Sequence, residues 1–495
     1  MRGAVIFFLI IALGLSWLWF FTNPRGQTTG IASQAAPDDT VTVWVSELLG
    51  SPDEAYYYSL ANLWNSIEPR IHIKMCVLGY SGYDSKLRVA IASGQPPDVS
   101  FGGMATLESL QYSGKTDDLS VPIPPKYFPD SRLAEFSPKL RKALDPDANG
   151  RPRVFPIWRY AYGGILLANN DMLKAAGFND QQIRDHGWTI NQFREACRRM
   201  THDGHYGFGA ALVHLPHLFL DEFGPGIWGR NVSRDELLGY NKAQKRWTIH
   251  PALTEDNIYR VFSLFNDLIN VDKSWDPATL SMSFPSIIDN ITVHRTLGMT
   301  FGETPWVPML RQEIWKTNEA LGVHQLPPPP LTAIWMPAEK PGQKGTPRAG
   351  IIGFSVMKQI PYKGDAHTDD ALRVGLFLTH PVMLARSQIR TFRHLPADPK
   401  EFAEIYPELL HMDNPWVKFY NDVMNSDIPV ISNAPGPDDP GAAQFAELQQ
   451  KVTEWFNTRG MDLLQQVIYQ KIGVREGAAT FYRELKALDS AKSSS

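Results

Sequence analysis

What most constrains this chain is an alternation of short β-branched runs with helical stretches between residues 41 and 101. Val41-Thr42-Val43-Trp44-Val45 alternates from position to position, and Ile71, Ile73, Met75 and Val77 do so again. That period of two marks strands. Between them Tyr57, Leu60, Trp64 and Ile67 recur near every third or fourth position, the period of a helix with one buried face. A second helix is expected with Asp84 as its cap, running through Leu87, Ala90 and Ile91 to a stop at Gly94. Pro96-Pro97 breaks the chain before a third short strand, Asp98 to Phe101, which ends at Gly102-Gly103. The β-α-β-α-β order predicts a doubly wound unit. In such sheets ligands gather beyond the carboxyl ends of the strands, which groups Ser46, Glu47, Tyr80, Tyr83, Gly102, Gly103 and Met104 around one mouth.

At 495 residues the chain is too long for one ordinary core. A second unit is expected from Trp158. Gly163 to Ala168 reads as a strand, and Asn170 to Ala176 as a short helix closed by Gly177. Thr189 with Gln192 makes a capping box for a helix burying Phe193, Cys197 and Met200. Leu297 to Phe301 is a strand leading into Gly302-Glu303-Thr304-Pro305-Trp306, Gly350 to Phe354 is another, and the last stretch of the chain reads as helical.

The N-terminus carries an apolar run, Ala4 to Phe21, long enough to span hydrocarbon and longer than the core of a typical signal peptide. An uncleaved anchor is the expectation, followed by a stalk rich in Gly, Thr, Ser and Pro. No cysteine follows the run closely; Cys76 and Cys197, the two in the chain, are expected as unpaired thiols in the body. A net charge of −4 gives no reason to expect a nucleic acid partner. There is no G-x-S-x-G elbow, phosphate-binding Gly-Lys-Ser/Thr loop or H-E-x-x-H. Tyr56-Tyr57-Tyr58 falls on the first helix, and His202, His205, His214 and His217 read as solvated or packed histidines rather than metal ligands. No cofactor and no metal is expected.

Four stretches resemble the extracellular solute-binding proteins of carbohydrate ABC importers, the maltodextrin-binding-protein-like family. Ser93-Gly94-Gln95-Pro96-Pro97-Asp98-Val99 matches the family's small-Gly-x-x-Pro-Asp-hydrophobic stretch. Gly150 to Asp171, with Val154-Phe155-Pro156 leading to Asn169-Asn170, follows its second landmark, although Ala168 stands where an aromatic is usual. Gly177 to Phe193 follows the third, with Trp188 and Thr189 in reversed order. Gly298-Met299-Thr300-Phe301-Gly302 with Trp306, then Gly322-Val323, Leu326-Pro327 and Gly350 to Phe354, follows the fourth, with Gly298 in place of alanine.

The resemblance implies an α/β, two-lobed periplasmic-binding-protein-like fold of type II, with hinged lobes and an interlobe ligand cleft. The expected divisions are a membrane anchor or signal segment at 1–22, a stalk at 23–40, lobe 1 at 41–158 and 353–410, lobe 2 at 159–352 and 411–488, and a disordered tail at 489–495. Sugars offer apolar faces ringed by hydroxyls, so their sites pair aromatic platforms with fixed polar groups. Trp306 matches the family's cleft tryptophan, with Glu303 in the same turn; Trp158, Arg159, Tyr160 and Tyr162 fall where the chain crosses between lobes. Gly102, Gly103, Tyr80, Tyr83 and Glu47 line the first-lobe mouth, and Trp228 lies on a turn resembling a ligand-side loop. For each, packing is the competing reading. The expected function is capture of a sugar or oligosaccharide outside the cytoplasmic membrane, by a monomer that hands it to an ABC permease and performs no chemistry. The alternatives are an anchored carbohydrate hydrolase, which needs two opposed carboxylates, or a binder or sensor for another solute such as a polyamine or peptide.

Overall fold

The computed structural model describes residues 38–47, 52–101, 119–136, most of 141–228, 237–302, most of 315–383, three short stretches at 395–396, 418–419 and 422–423, and 441–490. The expected anchor, most of the stalk and the re-entry near residue 410 lie outside them. Among the described residues no helix is long and apolar enough to cross a membrane.

The predicted alternation is present as β1 (Asp39–Glu47), α1 (Pro52–Ile67), β2 (Ile71–Gly79), α2 (Tyr80–Ala92) and β3 (Val99–Phe101). β1 lies between β2 and β3 and is parallel to both. Val41, Val43 and Val45 are buried, as their alternation requires. Two boundaries differ from expectation. β1 begins inside the expected stalk. α2 starts at Tyr80, with Gly79 as its N-cap and no side-chain cap, because β2 runs straight into it; Asp84 is therefore inside the helix. The tyrosine row on α1 is packing: Tyr57 stands 5.9 Å from Phe101 and 6.4 Å from Phe354, ring to ring, while Tyr58 faces out.

β4 (Val154–Tyr162) leads directly to β5 (Ile165–Asn169). These belong to different sheets. The first sheet has the order β12-β4-β11-β3-β1-β2, where β11 is Arg348–Val356 and β12 is Leu395–Pro396. The second has the order β10-β5-β9-β6, with β6 at Tyr206–Phe208, β9 at Leu297–Phe301 and β10 at Leu331–Trp335. All five residues of β5 are buried: Ile165 and Leu167 join the cluster that holds Ile287, Ile288 and Ile291 and continues to the first sheet, Leu166 and Ala168 the cluster that holds Phe193 and Phe262. A sheet covered on both faces explains its continuous apolar strands.

α3 (Ile190–Met200) carries the expected capping box, Thr189 with Gln192. It buries Phe193, Cys197 and Met200 beside α4 (Glu255–Asn266) in the second core. α5 (Asp365–Leu378) packs on the first sheet, tied at its N-terminus to the amino ends of β1 and β3. There His367 places Nδ1 2.5 Å from Asp39 Oδ2 and Nε2 2.8 Å from Asp98 Oδ1. Lys363 Nζ donates to Asp98 Oδ1 (2.7 Å), and Thr42 donates its N–H and hydroxyl to Oδ2. Burial raises the Asp98 pKa, but Lys363, His367 and Thr42 outweigh it and hold the carboxyl below the usual range. The chain ends in α6 (Ala442–Trp455), α7 (Met461–Ile468) and α8 (Val474–Ser490), all seated on the second core. α8 runs into the expected tail, where Asp489 pairs with Arg246 at 2.7 Å. Both cysteines are free thiols, as expected.

Candidate functional site

The strand order 2-1-3 in the parallel part of the first sheet creates a switch point between β1 and β3, and ligands bind outside the carboxyl ends of strands at such points. Those ends are Glu47, Gly79 and Phe101. From the same edge a ribbon projects. β4 and β11 pair antiparallel from Phe155↔Phe354 out to Tyr162↔Arg348, about 20 Å beyond the sheet at the usual strand rise. The ribbon leads into the second sheet, where β6, β9 and β10 all end on the edge at which β5 begins.

Glycines fix both ends of this ribbon. Its register shifts between Ile352 and Gly353, where an added Cβ would lie 2.1 Å from the Phe155 carbonyl oxygen. At the far end Gly164 has φ +75°, in the left-handed region, and Gly345 packs so closely that a Cβ would lie 2.3 Å from the Gly164 oxygen. The Gly164 N–H donates to Glu222 Oε2 at 2.9 Å, and its carbonyl accepts from the Met336 N–H at 2.9 Å. Glu222 is buried and sits on a π-helical turn, Leu218–Phe223, a geometry that often re-aims a side chain at functional positions.

The expected site residues distribute unevenly. Trp158, Arg159, Tyr160 and Tyr162 are on the ribbon, in register with Ile352, Ile351, Gly350 and Arg348. Glu47 is buried at the end of β1, and Tyr80 opens α2. Tyr83 turns inward instead: its hydroxyl bonds the Ser100 hydroxyl (2.8 Å) and donates to the Trp44 carbonyl (3.3 Å), bracing β1 and β3. Trp228 packs 5.5 Å from the Phe219 ring and over Gly224, against the second core. Gly102, Gly103, Glu303 and Trp306 lie outside the described residues.

Two more groups stand near this edge, one unmarked in the sequence and one that reads there as a packed or solvated histidine. Glu222 is one; its only local signal is a pair of acids in an apolar run, Leu218-Phe219-Leu220-Asp221-Glu222-Phe223. His214 is the other. It follows β6, and its ring lies 4.9 Å from that of Phe301 at the end of β9. Burial pushes its pKa down from 6.5 to about 4, which keeps the imidazole neutral at ordinary pH.

Known proteins share parts of this sequence and fold. Residues 50–279 match the family model of the bacterial extracellular solute-binding proteins. That is a little under half of the chain, and it agrees with the resemblance carried by Ser93 to Val99 and Gly150 to Asp171. Solved solute-binding proteins share the fold over nearly the whole chain. The GacH receptor of Streptomyces glaucescens, solved unliganded and with acarbose, is 14% identical, with 92% of this chain and 99% of that one covered at a TM-score of 0.60. Maltose-bound MalE3 of T. maritima is 15% identical, with 91% and 100% covered at 0.61. MalE of Bdellovibrio bacteriovorus with maltotriose is 14% identical, with 90% and 99% covered at 0.58. A curated relative, an uncharacterised lipoprotein from the oleD 5' region of Streptomyces antibioticus, is 26% identical over 183 residues, 36% of this chain. The chain spans 38% of that relative's length.

Proposed function

We propose that this chain captures a sugar or oligosaccharide outside the cytoplasmic membrane and delivers it to an ABC permease, without breaking a bond. The observation that carries the reading is the glycine-pinned ribbon between two sheets whose strand ends face it. Such a ribbon lets the lobes rotate while each core stays packed, and a ligand that contacts both lobes draws them closed. The solved solute-binding proteins that share this fold hold maltose, maltotriose and acarbose. We assign lobe 1 to 41–158 and 353–410, and lobe 2 to 159–352 and 411–488.

In this reading Trp306 is the main stacking platform, with Glu303, Glu47 and the neutral His214 serving hydroxyls. The ribbon residues Trp158, Arg159, Tyr160 and Tyr162 form the back wall, and Tyr80, Gly102 and Gly103 the first-lobe rim. Tyr83 and Trp228 support the walls through their packing. The apolar run Ala4 to Phe21 tethers the body to the membrane, and the body acts as a monomer.

The test is thermal unfolding of residues 37–495 against mono- and oligosaccharides, polyamines and short peptides. A ligand at about 100 times its Kd stabilises the native state by about 2.7 kcal/mol, which raises the midpoint by a few degrees. A shift with one sugar class and no turnover supports the reading, whereas a shift with polyamines or peptides alone would sink the sugar assignment. Trp306→Ala should weaken that binding by 2 kcal/mol or more, about 30-fold, with little effect on folding. Unchanged affinity would remove Trp306 from the site.

A further inference from the structure

The geometry points to a divalent transition-metal site on the turn between α3 and β6, formed by His202 and His205. These residues pair across an antiparallel bridge closed by the His205 N–H to His202 carbonyl bond of 2.8 Å. The turn between them is Asp203-Gly204, both with positive φ (49° and 81°). That is the two-residue hairpin geometry that sends the flanking side chains to one face. The two imidazole centroids are 5.6 Å apart. With metal–nitrogen bonds of about 2.0–2.1 Å and a tetrahedral angle, two ligating imidazoles have centroids about 5.2 Å apart. The observed ring separation is within about half an ångström of that value.

Both rings also carry the outer partner that metal-bound histidines need. His205 Nδ1 is 3.2 Å from the His202 carbonyl oxygen, and His202 Nδ1 is 3.4 Å from Asp203 Oδ2. An acceptor at each Nδ1 favours the tautomer that leaves Nε2 with its lone pair, as in carboxylate–histidine–metal and carbonyl–histidine–metal pairs. His202 is exposed and His205 partly so, giving water access to the remaining coordination positions. Among the described residues no group of three or more His, Cys, Asp or Glu side chains is set to hold a metal, so the pair supplies two ligands and water the rest. Imidazole nitrogens select Zn2+, Ni2+ or Cu2+ over Mg2+ or Ca2+. The turn precedes β6 and so lies at the amino end of that strand, opposite the candidate ligand edge. Metal at this turn therefore leaves solute capture unchanged.

Calorimetric titration of the full chain with Zn2+ tests the site, with Cu2+ paramagnetic resonance to count ligating nitrogens. One saturable Zn2+ site is expected, weakened about tenfold or more by His202→Asn and by His205→Asn and unaffected by His324→Asn, another exposed histidine. The Cu2+ spectrum should change from two imidazole nitrogens to one in either of the first two variants. No saturable binding, binding that survives either substitution, or binding lost with His324→Asn would overturn the assignment. Circular dichroism of each variant separates loss of the site from loss of the fold.

Discussion

His214 sits against Phe301, a residue far away in the sequence, and that one contact explains both its chemistry and why it reads as ordinary in the sequence. Beside His217 in an apolar stretch it looks like a packed histidine; only the folded sheet brings it to the end of β9. Its folded pKa of about 4 lies below the ordinary 6.5, so the unfolded chain takes up the proton first. The stability it contributes is therefore complete above pH 6.5 and is lost as pH falls toward 4, at most about 3 kcal/mol. His214→Gln should flatten the fall in melting temperature across that window. If wild type and variant keep parallel curves there, burial does not control this imidazole. Glycine is more legible than histidine at this scale. Gly177 stands out in the sequence as the stop of a helix, and its positive φ gives the reason.

Elements whose signals are local were legible, and those set by distant partners were not. The capping box of α3 needs only Thr189 and Gln192, so it was read correctly. The start of α2 was misplaced at Asp84 because the direct entry from β2 leaves no cap to find. The hinge latch was invisible, since Glu222 reaches Gly164 across 58 positions. Glu222→Ala removes the acceptor for a buried N–H and should cost about 1–3 kcal/mol. Hydrogen exchange should quicken at the Gly164 amide more than in the cores. Uniform acceleration would mean that Glu222 supports the second core generally rather than the ribbon.

The anchoring of α5 allows a second test. Asp98→Ala removes the partner of the Thr42 N–H and of His367 Nε2 and should cost about 1–3 kcal/mol in chemical denaturation. The Asp98 pKa is depressed, so its contribution is present above the ordinary 3.8 and is lost as pH falls through the folded value. That window lies below the one set by His214. Asp98→Asn should flatten the curve below the ordinary 3.8; a variant that keeps the wild-type fall in that window would contradict the assignment.

For the molecule as a whole, the β-α-β-α-β opening and the order of the four family-like stretches were enough to foresee two α/β units crossed more than once by the chain. The ligand was not legible, because no local pattern in the sequence says which loops and strand ends meet in the fold. The C-terminal helices complete the second core: Phe219 lies 5.8 Å from Phe456 and 5.5 Å from Phe481, ring to ring. Ending the chain at residue 440 uncovers that cluster and should abolish cooperative unfolding. A truncated protein that melts as one sharp transition would show that α6 to α8 are an accessory layer.

The same helices set a schedule for synthesis. Phe481 and Leu485 leave the ribosome later than almost every other member of the second core, yet both lie within it. The first sheet is no more independent, since β11 must arrive from beyond the second sheet before β3 and β4 have a common neighbour. Neither half can finish before β11 and α8 have been made, so the nascent polypeptide stays open and threadable up to that point. A protein that must pass through a narrow translocation channel before it folds gains that delay from the order of its strands.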